Sequence, residues 1–490
     1  MSTEPSLDAV PPPGCPAHAG QDRPAPSGVP LYGAAFADDP AAVYAELRAL
    51  GPVAPVLVAE DVEASLVVSY EAALQLLRSP ETFSKDPRRW KAVLDGRIPP
   101  THPVMPMMGY RPNALFTDGE EHARFRSAIS DSLDRVDPIE LREYVRRAAD
   151  TLIDGFGPDG KTDLRREYAL VVPLLVFMEM FGCPSAIAEK LVRGMSGIFD
   201  VVDAEKSNAL LLEGMVELVA LKRAQPGADV TSWLMAHPAD LTDEEMVHQL
   251  VVLMGAGTEP QQNLISNSLR LLLSDDRFAG DLSGGSMPIE DALDEVLWSD
   301  PPMANYGVHF PVRDVDLHGV RLREGEPVVV SFAAANTDPA LTTDHRAGNR
   351  AHLAWSAGPH TCPAKDGARL IATVAIERLL DRLPDIELAV PAERLRWRPG
   401  PFHRALAELP VVYPPLTVVR PAPRAPQTAP TTAPPSATPE PQLGESPWQN
   451  SPAPTSSTPR GATSTVRTSD SAPEARRRWW HSLAVWRHGR

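Results

Sequence analysis

One segment constrains this chain more than any other. Thr242-x-x-Glu245 is a capping box, and the residues after it, MVHQLVVLMGAGTEPQQNLISNSLRLLL, are apolar nearly all round. A helix of roughly 30 residues spans about 45 Å, the width of a whole domain. Such a helix has to run through the centre of a large, mainly helical fold. Its middle is unusual, because Gly255, Gly257 and Pro260 are poor helix formers set beside a lone acid, Glu259. Proline removes a backbone donor and crowds the preceding turn, so a kink is expected there. Two readings follow: a core helix with a packing kink, or a distorted helix whose opened groove faces a ligand.

The rest of the 490 residues divides by composition. There are 53 prolines against 31 glycines, and 13 of the prolines fall in residues 421–490 among Ser, Thr and Ala. That stretch has too little apolar surface to offset chain entropy. The expected organisation is a disordered leader over 1–28, a single domain over 29–419, a disordered linker over 420–475 and a basic, aromatic terminal segment over 476–490. Within the domain, helical periodicity dominates. In residues 139–156, Leu141, Val145, Ala148, Leu152 and Phe156 recur every three or four positions after the start signal Asp137-Pro138. Short strand signals cluster in the last third, in DVDLHGV and VVVSF, with a turn at Glu324-Gly325 between them.

The net charge of −17 argues against a nucleic-acid partner. Three cysteines, Cys15, Cys183 and Cys362, build no disulfide framework, which suits a reducing, cytoplasmic setting. The apolar run over 168–178 falls well short of the ~18–20 residues of a membrane span, and the N-terminus lacks the basic-then-apolar order of a signal peptide.

The stretch HLAWSAGPHTCPAKDGARLIATVAIERLLDRLP carries the chemistry. A helix is expected over about 364–383, with Pro363 at its first position and Cys362 at its N-cap. A thiol there meets free amides and the positive end of the helix dipole, and both favour thiolate, which is a metal ligand or a nucleophile. Isolated cysteines are more often inert core residues. Zinc is disfavoured, since no CxxC or HxxxH pair supplies further ligands. Gly358 allows the loop to approach something closely, and His360 adds a polar group two residues from the cysteine.

This segment resembles the haem-binding loop of the cytochrome P450 superfamily, F-x-x-G-x-[HR]-x-C-x-G followed by Ala-Arg. Gly358, His360, Cys362, Ala368 and Arg369 match, while Trp355 replaces Phe and Ala364 replaces the glycine after the cysteine. DGEEHARFR resembles the family's early helix, and LRWRPGPFHRALAELPV the final segment of soluble bacterial members. The resemblance implies a mainly α fold with small β-sheets, with haem b (iron protoporphyrin IX) between the long central helix and the helix after the cysteine loop. It implies Cys362 as the iron ligand, His122, Arg126 and His360 as propionate partners, and His309 in the place of a further propionate-binding arginine. The implied activity is a monooxygenase that takes electrons from a ferredoxin-type donor and inserts one oxygen atom into a hydrophobic small molecule.

Two further departures bear on that activity. The family's oxygen-activating Ala-Gly-x-Glu-Thr-Thr reads Ala256-Gly257-Thr258-Glu259-Pro260-Gln261, so the usual threonine is a proline without hydroxyl or N–H. Glu259 and Gln261 are the groups left to order a water in its place. In ALDEVLW the Glu-x-x-Arg arginine has become Trp298, which leaves Glu295 to find other partners. The loss resembles a divergent bacterial subgroup often encoded beside small-GTPase switch modules, and this makes a GTPase-linked signalling module a candidate partner. The competing functions are a ferredoxin-dependent monooxygenase, a catalytically degenerate haem-binding signalling or interaction protein, and a peroxide-dependent haem enzyme.

The terminal segment RRRWWHSLAVWRHGR lies outside the resemblance. On a helix, Trp479, Leu483 and Trp486 form one apolar stripe with arginines at its ends, a candidate contact for an anionic membrane surface or an acidic protein.

Overall fold

The computed structural model describes residues 28–199, 204–275, 289–341 and 348–417. Its axis is the central helix, Asp243–Ser274, 32 residues long. The helix starts as the sequence dictates. Glu245 N donates to Thr242 Oγ1 (3.2 Å), and Thr242 N donates to the Glu245 carboxylate (2.9 Å). Helical structure continues through Pro260, so the expected kink leaves no gap. The proline removes one donor, and the carbonyl it orphans belongs to Ala256, a residue on the accessible side of the helix.

Around this axis pack helices whose apolar stripes were legible in outline. Pro138–Phe156 is capped by Asp137, whose carboxylate accepts from Ile139 N (2.7 Å). It buries Leu141, Val145, Ala148 and Phe156 as expected, but the remaining place on the stripe is filled by Ile153, with Leu152 only half-buried. The apolar run near residue 170 forms a π-helical turn, Arg165–Ala169, followed by a helix, Val171–Met180, buried along almost its whole length. No helix among the described residues is long and apolar enough to cross a membrane.

The strands depart from expectation. DVDLHGV is not one strand but a hairpin, Val315–Leu317 against Val320–Leu322, because His318 and Gly319 both take positive φ (51° and 86°) and close a tight turn. Val328–Val330 joins a different sheet, running parallel to Val62–Val67. That four-stranded sheet also contains Val53–Ala59 and Val29–Pro30, so much of the β-structure is N-terminal, where the sequence reading placed no strand. The described residues lie in one compact unit ending at Thr417. The leader over 1–28 except for Gly28, the linker over 420–475 and the segment over 476–490 lie outside the described residues.

Candidate functional site

The cysteine loop is built by short backbone links. Cys362 N donates to Trp355 O (2.9 Å), and Thr361 donates to Gly358 O through both N (3.1 Å) and Oγ1 (2.8 Å). Gly358 has φ +68°, and a Cβ there would sit 2.2 Å from the Leu77 carbonyl oxygen. Only glycine fits, and what it approaches is this chain's own backbone. The helix after the loop is Lys365–Arg382 with Ala364 as N-cap, so Cys362 stands two residues before the cap rather than on it. Pro363 and Ala364 form a turn instead of the first helical positions. Cys362 is half-buried, and burial pushes its thiol pKa up, against the pull of the Ala364 amide and of Arg126. Burial outweighs the pull of the helix terminus, and a cation bound at sulfur would favour the thiolate.

Beside the loop, basic groups converge. Arg126 donates to Thr361 O (2.6 Å) and to Ser130 Oγ (3.1 Å). The His122 and His360 rings lie against each other, tilted by 39° with centroids 4.1 Å apart. His309 Nδ1 faces the Gly307 carbonyl at 2.7 Å, which fixes its proton there. Lys85 completes the group, and sequence reasoning missed it, because an isolated lysine in a loop carries no periodic or motif signal. It is 6 % exposed, and burial brings its pKa down to about 8, with Asp118 opposing. Asp118 is the acid of the cluster, accepting from Ser84 Oγ (2.5 Å) and Lys85 N (2.9 Å) and lying 3.5 Å from His360 Nε2. Burial also lowers His122, to about 4, and holds His309 well below the ordinary histidine range, with nearby cations adding to both effects. His122 Nε2 is buried with no partner among the described residues. Five basic side chains around one carboxylate, with an unmatched ring nitrogen among them, fit a flat dianionic group seated beside Cys362.

The central helix packs against the helix that follows the cysteine loop. Most of its residues are buried, yet Ala256 is exposed in mid-helix, flanked by half-buried Val252, Leu253, Gly255, Gly257 and Pro260. A Cβ on Gly255 would meet nothing within 4 Å, which marks open space. Glu259 and Gln261, expected to order water there, are both buried and held elsewhere. Glu259 pairs with Arg398 Nη1 (2.7 Å) and accepts from Gln262 and Asn263, while Gln261 Nε2 donates to Ala368 O (2.9 Å) on the cysteine helix. The Thr258 hydroxyl donates back to Met254 O (2.8 Å).

A second charged cluster lies on the helix Ile289–Ser299. The acid expected to need partners was Glu295, but Glu295 is half-buried and the deeply buried acid is Asp294. Asp294 binds Arg369, from the Ala-Arg pair after the cysteine, and Arg350 Nε (3.2 Å). Trp298 is also buried. Its Nε1 donates to Asn349 O (2.7 Å), and its ring meets His352 edge to face.

No family model matches the chain. It is 32% identical over 391 residues to the cytochrome P450 monooxygenase PikC of Streptomyces venezuelae, covering 77% of this chain and 91% of that protein. It is 30% identical over 401 residues to the vitamin D(3) 25-hydroxylase of Pseudonocardia autotrophica, covering 79% and 96%. Among solved structures, CYP154A1 from Streptomyces coelicolor A3(2) superposes with a TM-score of 0.71 at 29% identity, covering 79% of this chain and 100% of that one.

Proposed function

The chain belongs to the bacterial cytochrome P450s, and we propose that its domain over residues 29–419 is a haem-thiolate monooxygenase acting on a hydrophobic small molecule with electrons from a ferredoxin-type donor. The observation that carries this reading is the convergence of Lys85, His122, Arg126, His309 and His360 on the loop that presents Cys362. In this reading Cys362 holds the iron of haem b, and the basic cluster neutralises its propionates. Gly358 keeps the loop close enough to the body for both. Bound there, haem would supply thiolate-ligated iron at which dioxygen is activated and one oxygen atom is transferred to substrate.

The chain's own residues do the rest. Val252, Gly255 and Ala256 offer an apolar wall that binds substrate and excludes water. Glu259 and Gln261 act by position: the first ties the central helix to the C-terminal segment through Arg398, the second ties it to the cysteine helix. The spectrum of the reduced, carbon monoxide-treated protein tests the assignment. A thiolate-type band is expected, lost in Cys362→Ala, and a band that survives the substitution overturns it. A second reading, a haem-binding protein without turnover, is favoured by Pro260 and by the engagement of the Thr258 hydroxyl within its own helix. Product formation with ferredoxin, reductase and NADPH separates the two.

A further inference from the structure

Arg111 is a half-buried guanidinium without an acid. Among the described residues it makes no side-chain hydrogen bond and no ion pair. Among the described residues, the ionisable groups that act on it or feel it are Tyr306, whose hydroxyl donates to Met107 O (2.9 Å), and His248. His248 Nδ1 is buried and unpartnered among the described residues, and the acid near it is the exposed Glu244. Gln249, fully buried on the central helix, holds the Arg111 loop in place by accepting from Ala114 N (3.2 Å). A desolvated cation beside a neutral imidazole is unfavourable unless an anion joins them.

The position of His248 gives this pair a direction. His248, Val252, Ala256 and Pro260 recur every four residues, and all are accessible or half-buried while Gln249, Leu250, Val251, Met254 and Thr258 are buried. The polar pair therefore stands at one end of the open apolar stripe. From His248 to Ala256 is about 12 Å along the helix axis.

We propose that Arg111, with His248 beside it, anchors the carboxylate of an amphipathic substrate whose apolar body lies along the stripe toward Ala256. This rests on the monooxygenase reading and narrows its substrate class to monocarboxylates whose apolar body reaches about 12 Å from the anion. Carboxylates bind a guanidinium through charge-assisted hydrogen bonds, whereas an alcohol of the same length gains only the apolar contacts.

The test uses the haem-loaded full chain, titrated with decanoate and with 1-decanol and read both by the haem spectrum and by calorimetry. Decanoate is expected to bind more tightly than decanol. Arg111→Gln is expected to weaken decanoate about tenfold or more and to leave decanol unchanged. Arg111→Lys should retain part of the preference. Equal binding of the two probes, equal loss of both in Arg111→Gln, or no binding of either overturns the anchor, as does loss of haem in Arg111→Gln, which would assign the cation to the cofactor. Calorimetry reads the probes whether or not the chain holds haem. A wild-type chain without haem therefore counts against the proposed function, while absent charge discrimination counts against the anchor.

Discussion

Two buried charged clusters flank the cysteine helix, and they are built on opposite plans. Around Asp294 a deeply buried carboxylate receives two guanidinium groups, from Arg369 and Arg350. Around Asp118 one carboxylate faces Lys85, Arg126 and three histidines whose charged forms are suppressed by burial. The first arrangement is balanced, because Arg350 also pairs with Glu290 (3.1 Å) and two acids meet two guanidinium groups, and it links the helix Ile289–Ser299 to the cysteine helix. The second is short of negative charge, at a cost that burial magnifies. A chain tolerates such a deficit where a ligand makes it good, so under the proposed function the matched cluster serves the fold and the unmatched one serves binding.

Substitutions should therefore have opposite consequences in the two places. Asp294→Ala leaves the mostly buried Arg369 without its acid, and a loss of about 3–5 kcal/mol is expected in denaturant unfolding, with or without haem. A smaller loss, about 2 kcal/mol, is expected for Trp298→Arg. It puts a third guanidinium near one carboxylate and removes both the bond to Asn349 and the contact with His352. A rise in melting temperature would show that the ancestral arginine was lost without replacement.

Lys85→Met should do the reverse of Asp294→Ala. The apo-protein should be equally or more stable, because a buried ammonium has gone, while haem affinity falls about tenfold. Haem transfer to apomyoglobin measures the second effect. Equal loss of stability and affinity would erase the distinction between the clusters.

The most gradual effect concerns pH. His352, beside Trp298, is held at about 4 by burial, below the ordinary histidine value, so between about pH 6.5 and 4 the unfolded chain binds the extra proton. Stability that is present above pH 6.5 should decline as pH falls toward 4. His352→Phe should flatten that limb of the melting curve, and an unchanged slope would show that other groups carry it.

The family resemblance supplied His122, Arg126, His309 and His360, whereas the amino-acid sequence by itself determined the central helix, its capping box and the cysteine loop with its required glycine. These are local facts: a period of 3.6, a cap three residues long, a motif within one turn of chain. Tertiary structure alone decided the rest. Lys85 joins the cluster only because residues 84 and 85 are brought to Asp118, 33 positions later. Glu259 is drawn from the open stripe by Arg398, 139 residues away, and Asp294 rather than Glu295 is the buried acid because Arg369 reaches it from 75 residues on. Arg111 lacks an acid for the same kind of reason, since the groups within its reach come from the central helix and from Tyr306. The charge balance of a buried site is a sum over segments distant in sequence, so no window along the chain contains it, whereas the shape of a helix is written within a few of its own turns.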